Sequence, residues 1–229
     1  MQTLTTLKNH TMHRQLLHHQ IFHRFGPQAI LVLLALLLLA PSLRPGHFFG
    51  SSCDWYSQYV SIAETMRSTF YEEGTLFPGQ LPLGGSSNIY QFAYYGYLRP
   101  DVLLGCLLPS VSMDVILTVY AIGGYLLSIL LFYHLLKKCG LRLPFRLFGS
   151  VLFLCAGCFF QIHRQIVFVN YIPFLLGALL SALYFHRRKK GWPLVLMLFL
   201  IHLHSFYYSI ACLLSVFVFL LHTAPSLRW

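Results

Sequence analysis

The chain has 229 residues, of which 57% are hydrophobic and only 10% charged, and its formal net charge is +10. Soluble domains carry about 25% charged residues, so this composition excludes an ordinary soluble protein and indicates a membrane protein. The positive charge does not indicate nucleic-acid binding, because most basic residues lie in short clusters between leucine-rich runs, which is typical of membrane topology.

The amino-terminal segment, residues 1–28, is polar and basic and contains no acidic residue. A short apolar run over residues 29–40 follows, and this combination resembles a secretory signal peptide. No small-residue cleavage site follows the run cleanly. We therefore predict a cytoplasmic tail over residues 1–28 and a first span over residues 27–43, although the run is shorter than the ~20 residues of a typical span.

Residues 44–110 form a long, mostly polar segment that contains five of the six acidic residues, and the sixth, Asp114, follows shortly after it. Within it, apolar side chains recur every three to four residues, at Trp55, Tyr59, Ile62, Ala63, Met66 and Phe70. This pattern predicts an amphipathic helix that ends at Gly74 and lies flat at the membrane interface. Residues 83–90 are predicted to form a loop, and the aromatic cluster at 93–100 is typical of the headgroup level.

Five further spans are predicted, over residues 113–136, 145–160, 171–185, 192–205 and 207–222. The last two come from one apolar stretch, residues 192–221. As a single helix it would be about 45 Å long, which exceeds the ~30 Å hydrocarbon core of a bilayer. We therefore predict a break near residues 204–209.

The distribution of lysine and arginine sets the orientation of this topology. Twelve of these residues fall in predicted inside segments, and four fall outside, namely Arg44, Arg67, Arg99 and Arg164. Since basic residues are retained on the cytoplasmic side, the amino terminus is predicted to be cytoplasmic and the acidic window external.

Asp54 is the first acidic residue of the chain and directly follows the first predicted span. Ser51 and Asp54 have the spacing of a helix capping box, which is a purely structural interpretation. A carboxylate at this height could instead act as a general base on a substrate at the outer leaflet. Position alone does not decide between these two interpretations.

His163 and Arg164 lie on a short outer turn between two apolar segments. A guanidinium there could bind a lipid-linked phosphate through paired hydrogen bonds. An isolated interfacial arginine is more often a snorkelling residue, so both interpretations stay open. His202 and His204 are interpreted as helix contacts.

No other pattern in the sequence indicates a metal site or a nucleophile. No set of His, Cys and Asp has metal-ligand spacing, and no phosphate-binding glycine loop or nucleophile elbow occurs. The pair Cys155 and Cys158 lies within an apolar run and is interpreted as packing.

Four stretches carry a resemblance to a known family. They are "DWYSQYVSIAETMRSTFYEEGTLFP" (54–78), "LGGSSNIYQFAYYGYLRPDVLL" (83–104), "HRQIVFVNYIPFL" (163–175) and "SFYYS" (205–209). In motif order and topology they resemble the bacterial YfhO family of multi-span membrane proteins, over residues 50–215. That family is similar to GT-C glycosyltransferases. The resemblance implies an all-α polytopic membrane protein, with a GT-C-like helical bundle over residues 29–222 and a long first extracellular loop carrying the interfacial amphipathic helix.

The resemblance also implies a function at the outer face of the bacterial cell membrane. A sugar would be transferred from a polyprenyl-phosphate donor in the lipid bilayer to an envelope polymer such as lipoteichoic acid. Asp54 would be the catalytic residue, acting as general base on the acceptor hydroxyl or orienting it or a metal ion. The implied substrate-binding residues are Gln58, Asn88, Tyr90, Tyr95, His163, Arg164 and Asn170.

Within this set, the resemblance assigns His163 and Arg164 to the donor phosphate, and it leaves a divalent metal open as a cofactor. Enzymes of this type have more spans, so we expect residues 223–229 to be a truncated tail and the chain to be an amino-terminal part. The alternatives are a non-catalytic protein that binds or flips lipid-linked sugar and an inactive fragment.

Overall fold

The structure, a computed structural model, describes residues 25–43, 49–51, 53–76, 98–162 and 164–224. Over these residues the protein is all-helical and contains no strand. The helices are α1 (Phe25–Ser42), α2 (Ser61–Glu73), α3 (Pro100–Leu107), α4 (Met113–Lys138), α5 (Leu143–Leu154), α6 (Gly157–Phe160), α7 (Ile172–Arg188), α8 (Trp192–His204) and α9 (Phe206–Thr223).

Three of these helices, α1, α4 and α9, are long and apolar enough to cross a membrane. Two more, α5 and α8, are apolar but have only 12 and 13 residues. At 1.5 Å per residue such helices extend about 20 Å, which is less than the ~30 Å core of a bilayer. The prediction of a helical membrane protein is confirmed at this level.

The helix boundaries differ from the predicted spans at one place and agree with the predicted break at another. The apolar run over residues 145–160 is interrupted, because Ala156 is extended (φ −64°, ψ 135°) between α5 and α6. The stretch over residues 192–221 divides at Ser205, which is also extended (φ −167°, ψ 123°). Serine is favoured at helix starts, and this division lies within the region where a break is expected from helix length.

The helices α4, α7, α8 and α9 form the packed centre of the molecule. A Cβ built on Gly124 of α4 would lie 3.7 Å from Pro173 at the start of α7. The end of α8 lies at the same level, since His204 contacts Phe174 of α7 with ring centroids 4.4 Å apart. The segment before α7 contacts α3, which packs on the start of α4. The helix α7 therefore leaves the end of the molecule where α4 begins and runs in the same direction as α4, whereas α8 returns.

The predicted amphipathic helix exists, but its apolar face contacts protein. A π-helical stretch, Trp55–Val60, precedes α2, and Gly74 ends the helix in the left-handed conformation (φ 68°). Trp55 is fully buried, and Ala63 and Met66 of the same face are buried with it. This face packs against α3 and α4, which differs from the predicted contact with lipid.

Candidate functional site

Asp54 stands at the start of the π-helical stretch, but it does not cap it. Its side chain forms no capping hydrogen bond, and its backbone is already helical (φ −74°, ψ −34°). A capping box would instead need the Ser51 hydroxyl to accept from the Asp54 amide and the Asp54 carboxylate to accept from the Ser51 amide. Within the described part of the chain, the Ser51 hydroxyl has no hydrogen-bond partner either. The predicted capping box is therefore wrong.

The half-buried Asp54 carboxylate is held by two amide side chains instead. Gln58, one turn further along, donates to Oδ1 over 3.3 Å. Gln165 donates to Oδ2, and its own carbonyl oxygen accepts a hydrogen bond from the Tyr59 hydroxyl. The Cys53 thiol lies 3.7 Å from Oδ1. These contacts fix the direction of the carboxylate without neutralising its charge.

Gln165 joins two segments that the sequence analysis treated separately. It follows Arg164 on the short turn after α6, and Asp54 lies 111 residues earlier in the chain. The turn therefore contacts the external segment at the predicted catalytic carboxylate. The Arg164 side chain is exposed, and within the described ranges no carboxylate pairs with it. His163 lies outside the described residues.

A second polar cluster is fully buried beside the start of α3. Arg99 donates to the Asp101 carboxylate through Nε (2.9 Å) and Nη2 (2.7 Å), and the Val102 amide donates to it over 3.0 Å. Asp101 is 0% exposed and Arg99 2%. Asn170 donates to Asp101 over 3.4 Å, so the structure places this predicted site residue on the buried ion pair and not on Asp54.

Tyr120 and His204 extend this buried cluster towards α8. The Tyr120 hydroxyl lies 2.7 Å from His204 Nε2, while Nδ1 lies 2.6 Å from the Leu200 carbonyl oxygen. Because a carbonyl only accepts, Nδ1 carries a proton, while Nε2 pairs with the tyrosine hydroxyl. His204 is thus a hydrogen-bonded core residue, which agrees with its interpretation as a helix contact.

The other carboxylates of the chain either have strong partners or lie exposed at the end of α2. Those with strong partners are Asp101 with Arg99, Asp114 with Trp55 (2.9 Å) and Glu64 with Arg67 (2.6 Å). Glu72 and Glu73 lie exposed at the end of α2. Within the described residues, Asp54 is thus the half-buried carboxylate that neutral amides hold, and it stays the candidate general base.

Tyr56 is a neighbouring phenol that does not compete for this role. Burial, together with the charge and a hydrogen bond of Asp114, raises the pKa of Tyr56 to about 12. The phenol therefore stays protonated at neutral pH and does not act as a base there.

A narrow opening separates the two polar clusters. It runs between Tyr59, which bonds Gln165, and the buried Arg99. Its other walls are apolar side chains of α2 and α3. Asp54 does not line this opening and is connected to it through Gln165 and Tyr59.

Three predicted residues of the acceptor side, Asn88, Tyr90 and Tyr95, lie outside the described residues, as does His163. Within the described part of the chain, no group of three His, Cys, Asp or Glu side chains could hold a metal ion. Three polar residues of the two clusters were not predicted as site residues from the sequence, namely Gln165, Arg99 and Asp101. The string "HRQ" places Gln165 beside two selected residues, and "RPD" places an arginine two residues before an aspartate.

The chain was compared with protein-family models, curated proteins and solved structures, and no match was found in any of the three. The resemblance to the YfhO family therefore depends on the quoted motifs and stays a prediction. What the structure itself shows is the set of hydrogen bonds around Asp54 and the presence of apolar helices.

Proposed function

We propose that the protein is a membrane glycosyltransferase. It transfers a sugar from a polyprenyl-phosphate donor to an envelope polymer at the outer face of the membrane. The observation that supports this most is the hydrogen bond from Gln165 to Asp54. It brings the turn that carries Arg164 to the carboxylate, as a donor site next to a general base requires.

The reaction needs three groups at one place. The acceptor hydroxyl attacks the anomeric carbon, the bond from that carbon to the phosphate oxygen breaks, and the hydroxyl proton passes to Asp54. Arg164, and His163 when protonated, stabilise the negative charge on the departing polyprenyl phosphate. Such charge stabilisation is stronger in a site of low dielectric than in water.

Gln165 is proposed as the residue that orients the base. We expect Gln165→Leu to lower the rate of sugar transfer about tenfold, since hydrogen bonds to charged groups contribute roughly 1.5–3 kcal/mol. The assay uses the full chain in liposomes, with labelled polyprenyl-phosphate sugar as donor and lipoteichoic acid as acceptor.

Gln161→Leu is the matched control, because Gln161 lies exposed on the same turn. Its transfer rate should equal that of the wild type. Equal rates for both variants would show that Gln165 does not act on the reacting carboxylate.

The proposal also requires Asp54 to face outward, and two cysteines test this orientation. Cys53 is exposed beside Asp54, and Cys139 is exposed after the far end of α4. In single-cysteine variants, a membrane-impermeant maleimide should label Cys53 in intact cells and Cys139 only after permeabilisation. Partial burial raises the pKa of the Cys139 thiol, so its labelling is compared before and after permeabilisation and not with that of Cys53. The reverse pattern would overturn the orientation.

The exposed guanidinium of Arg164 also suits a protein that binds or flips lipid-linked sugar without transferring it. This second function needs phosphate recognition at Arg164 but no base at Asp54. It predicts donor binding by the wild-type chain in the same liposomes with no labelled product.

A further inference from the structure

The ends of α4, α5, α7 and α8 opposite Asp54 carry a dense group of basic side chains. We call this group the basic face. Its members are Lys137, Lys138, Arg142, Arg146, Arg187, Arg188, Lys189 and Lys190. Seven of them are exposed and Arg146 is half-buried, so the face is open to a ligand.

The register of the helices gathers these residues at one level. Gly124 and Pro173 face each other on α4 and α7, which run in the same direction. Lys138 lies fourteen residues beyond Gly124, and Arg188 lies fifteen residues beyond Pro173. With the same rise per residue, the two helix ends reach the same height. The basic clusters of two distant chain segments therefore form a single surface.

The start of α5 adds to this surface. The Arg146 guanidinium lies over the ring of Tyr133, 5.4 Å from its centroid, and Tyr133 is one turn before Lys137 on α4. The Nε atom of Arg146 is buried and has no hydrogen-bond acceptor within the described part of the chain. The contact with Tyr133 thus ties the start of α5 and the charge of Arg146 to the end of α4.

No carboxylate of the chain compensates the basic face. All six acidic residues lie between Asp54 and Asp114, and Asp114 is in the first turn of α4. The 24 residues from Asp114 to Lys138 correspond to about 36 Å along the helix. Within the described ranges, both ion pairs involve the acidic end, namely Arg67 with Glu64 and Arg99 with Asp101.

Exposed aromatic side chains border the basic face on its apolar side. Trp192 is 67% exposed, Phe145 63% and Tyr184 41%. Aromatic residues beside a basic cluster at the end of apolar helices are typical of the headgroup level of a bilayer. This position favours a lipid over a soluble anion or a nucleic acid as the ligand.

We infer that the basic face binds the head groups of anionic phospholipids in the leaflet where α4, α7 and α8 end. The phosphate oxygens accept hydrogen bonds from the arginine and lysine side chains, and the acyl chains lie against the aromatic border. The inference does not depend on the proposed sugar transfer, because it concerns the opposite end of the molecule.

Trp192 provides a local probe of this binding. Trp55 is fully buried and out of reach of lipid, so a Trp229→Phe variant leaves Trp192 as the accessible reporter. The variant is reconstituted in vesicles that contain either acyl-brominated phosphatidylglycerol or acyl-brominated phosphatidylcholine, at the same mole fraction. At low salt we expect at least about fivefold enrichment of the anionic lipid around Trp192, from the quenching of its fluorescence.

Two comparisons assign this enrichment to the basic face. The ratio of anionic to zwitterionic lipid around Trp192 should approach one at high salt, because screening weakens the interactions of exposed charges. It should also be lost when the four residues 187–190 are replaced by Gln, and retained in the matched variant R187K/R188K/K189R/K190R. Salt titration of the Trp229→Phe parent decides the question if the Gln variant does not insert.

Two results would overturn the inference. One is equal quenching by the two brominated lipids at low salt. The other is an enrichment that persists both at high salt and in the Gln variant, since it would then arise from contacts other than the basic face.

Discussion

Replacing Asp54 by Asn is expected to lower the rate of sugar transfer at least about a hundredfold and to leave donor binding unchanged. A positioned general base contributes roughly a hundredfold to ten-thousandfold to a rate, and an amide cannot take the proton of the acceptor hydroxyl. Gln58 and Gln165 can turn their amide groups towards the new side chain, so the local packing should persist. The measurement is the initial rate of labelled sugar transfer in liposomes, with donor binding followed in parallel.

The matched control is Glu72→Gln, which removes the same charge from an exposed position on the same external segment. It should transfer sugar at the wild-type rate. Transfer at that rate by the Asp54→Asn variant would exclude Asp54 as the base. Donor binding without transfer in the wild-type chain would favour the binding or flipping protein.

The pattern of apolar and charged residues predicted most of the long helices. For α4 the predicted range, 113–136, differs from Met113–Lys138 by two residues, because acidic and basic residues mark its two ends. The division at Ser205 follows from a limit on helix length. The interruption at Ala156 has no such signal, since hydrophobicity continues across it. The ends of a helix and its apolar character are thus readable from local sequence, whereas an extended residue within an apolar run is not.

The site was less accessible to sequence reasoning, because its contacts are long-range. The spacing of Ser51 and Asp54 predicted a cap, yet the carboxylate bonds to Gln165, 111 residues away. A tertiary partner of this kind competes with local capping, and only the fold decides between them. The apolar face of the segment around Trp55 was likewise expected to contact lipid. It is amphipathic as predicted, but periodicity does not reveal whether protein or membrane covers the face.

Replacing Asp101 by Leu is expected to destabilise the folded protein by about 3–5 kcal/mol, because it leaves Arg99 buried without its carboxylate. Asp101 is 0% exposed and also accepts from Asn170, so α3 and the turn before α7 depend on the same group. The double variant Arg99→Met with Asp101→Leu should recover at least about half of the loss, since it removes both buried charges together. Thermal unfolding in detergent, followed by circular dichroism, measures both, with Glu73→Gln as an exposed control. Equal stability of the Asp101→Leu variant and the wild type would show that the buried ion pair does not hold these segments together. A double variant that is no more stable than Asp101→Leu would show that the loss of stability comes from packing and not from the unpaired charge.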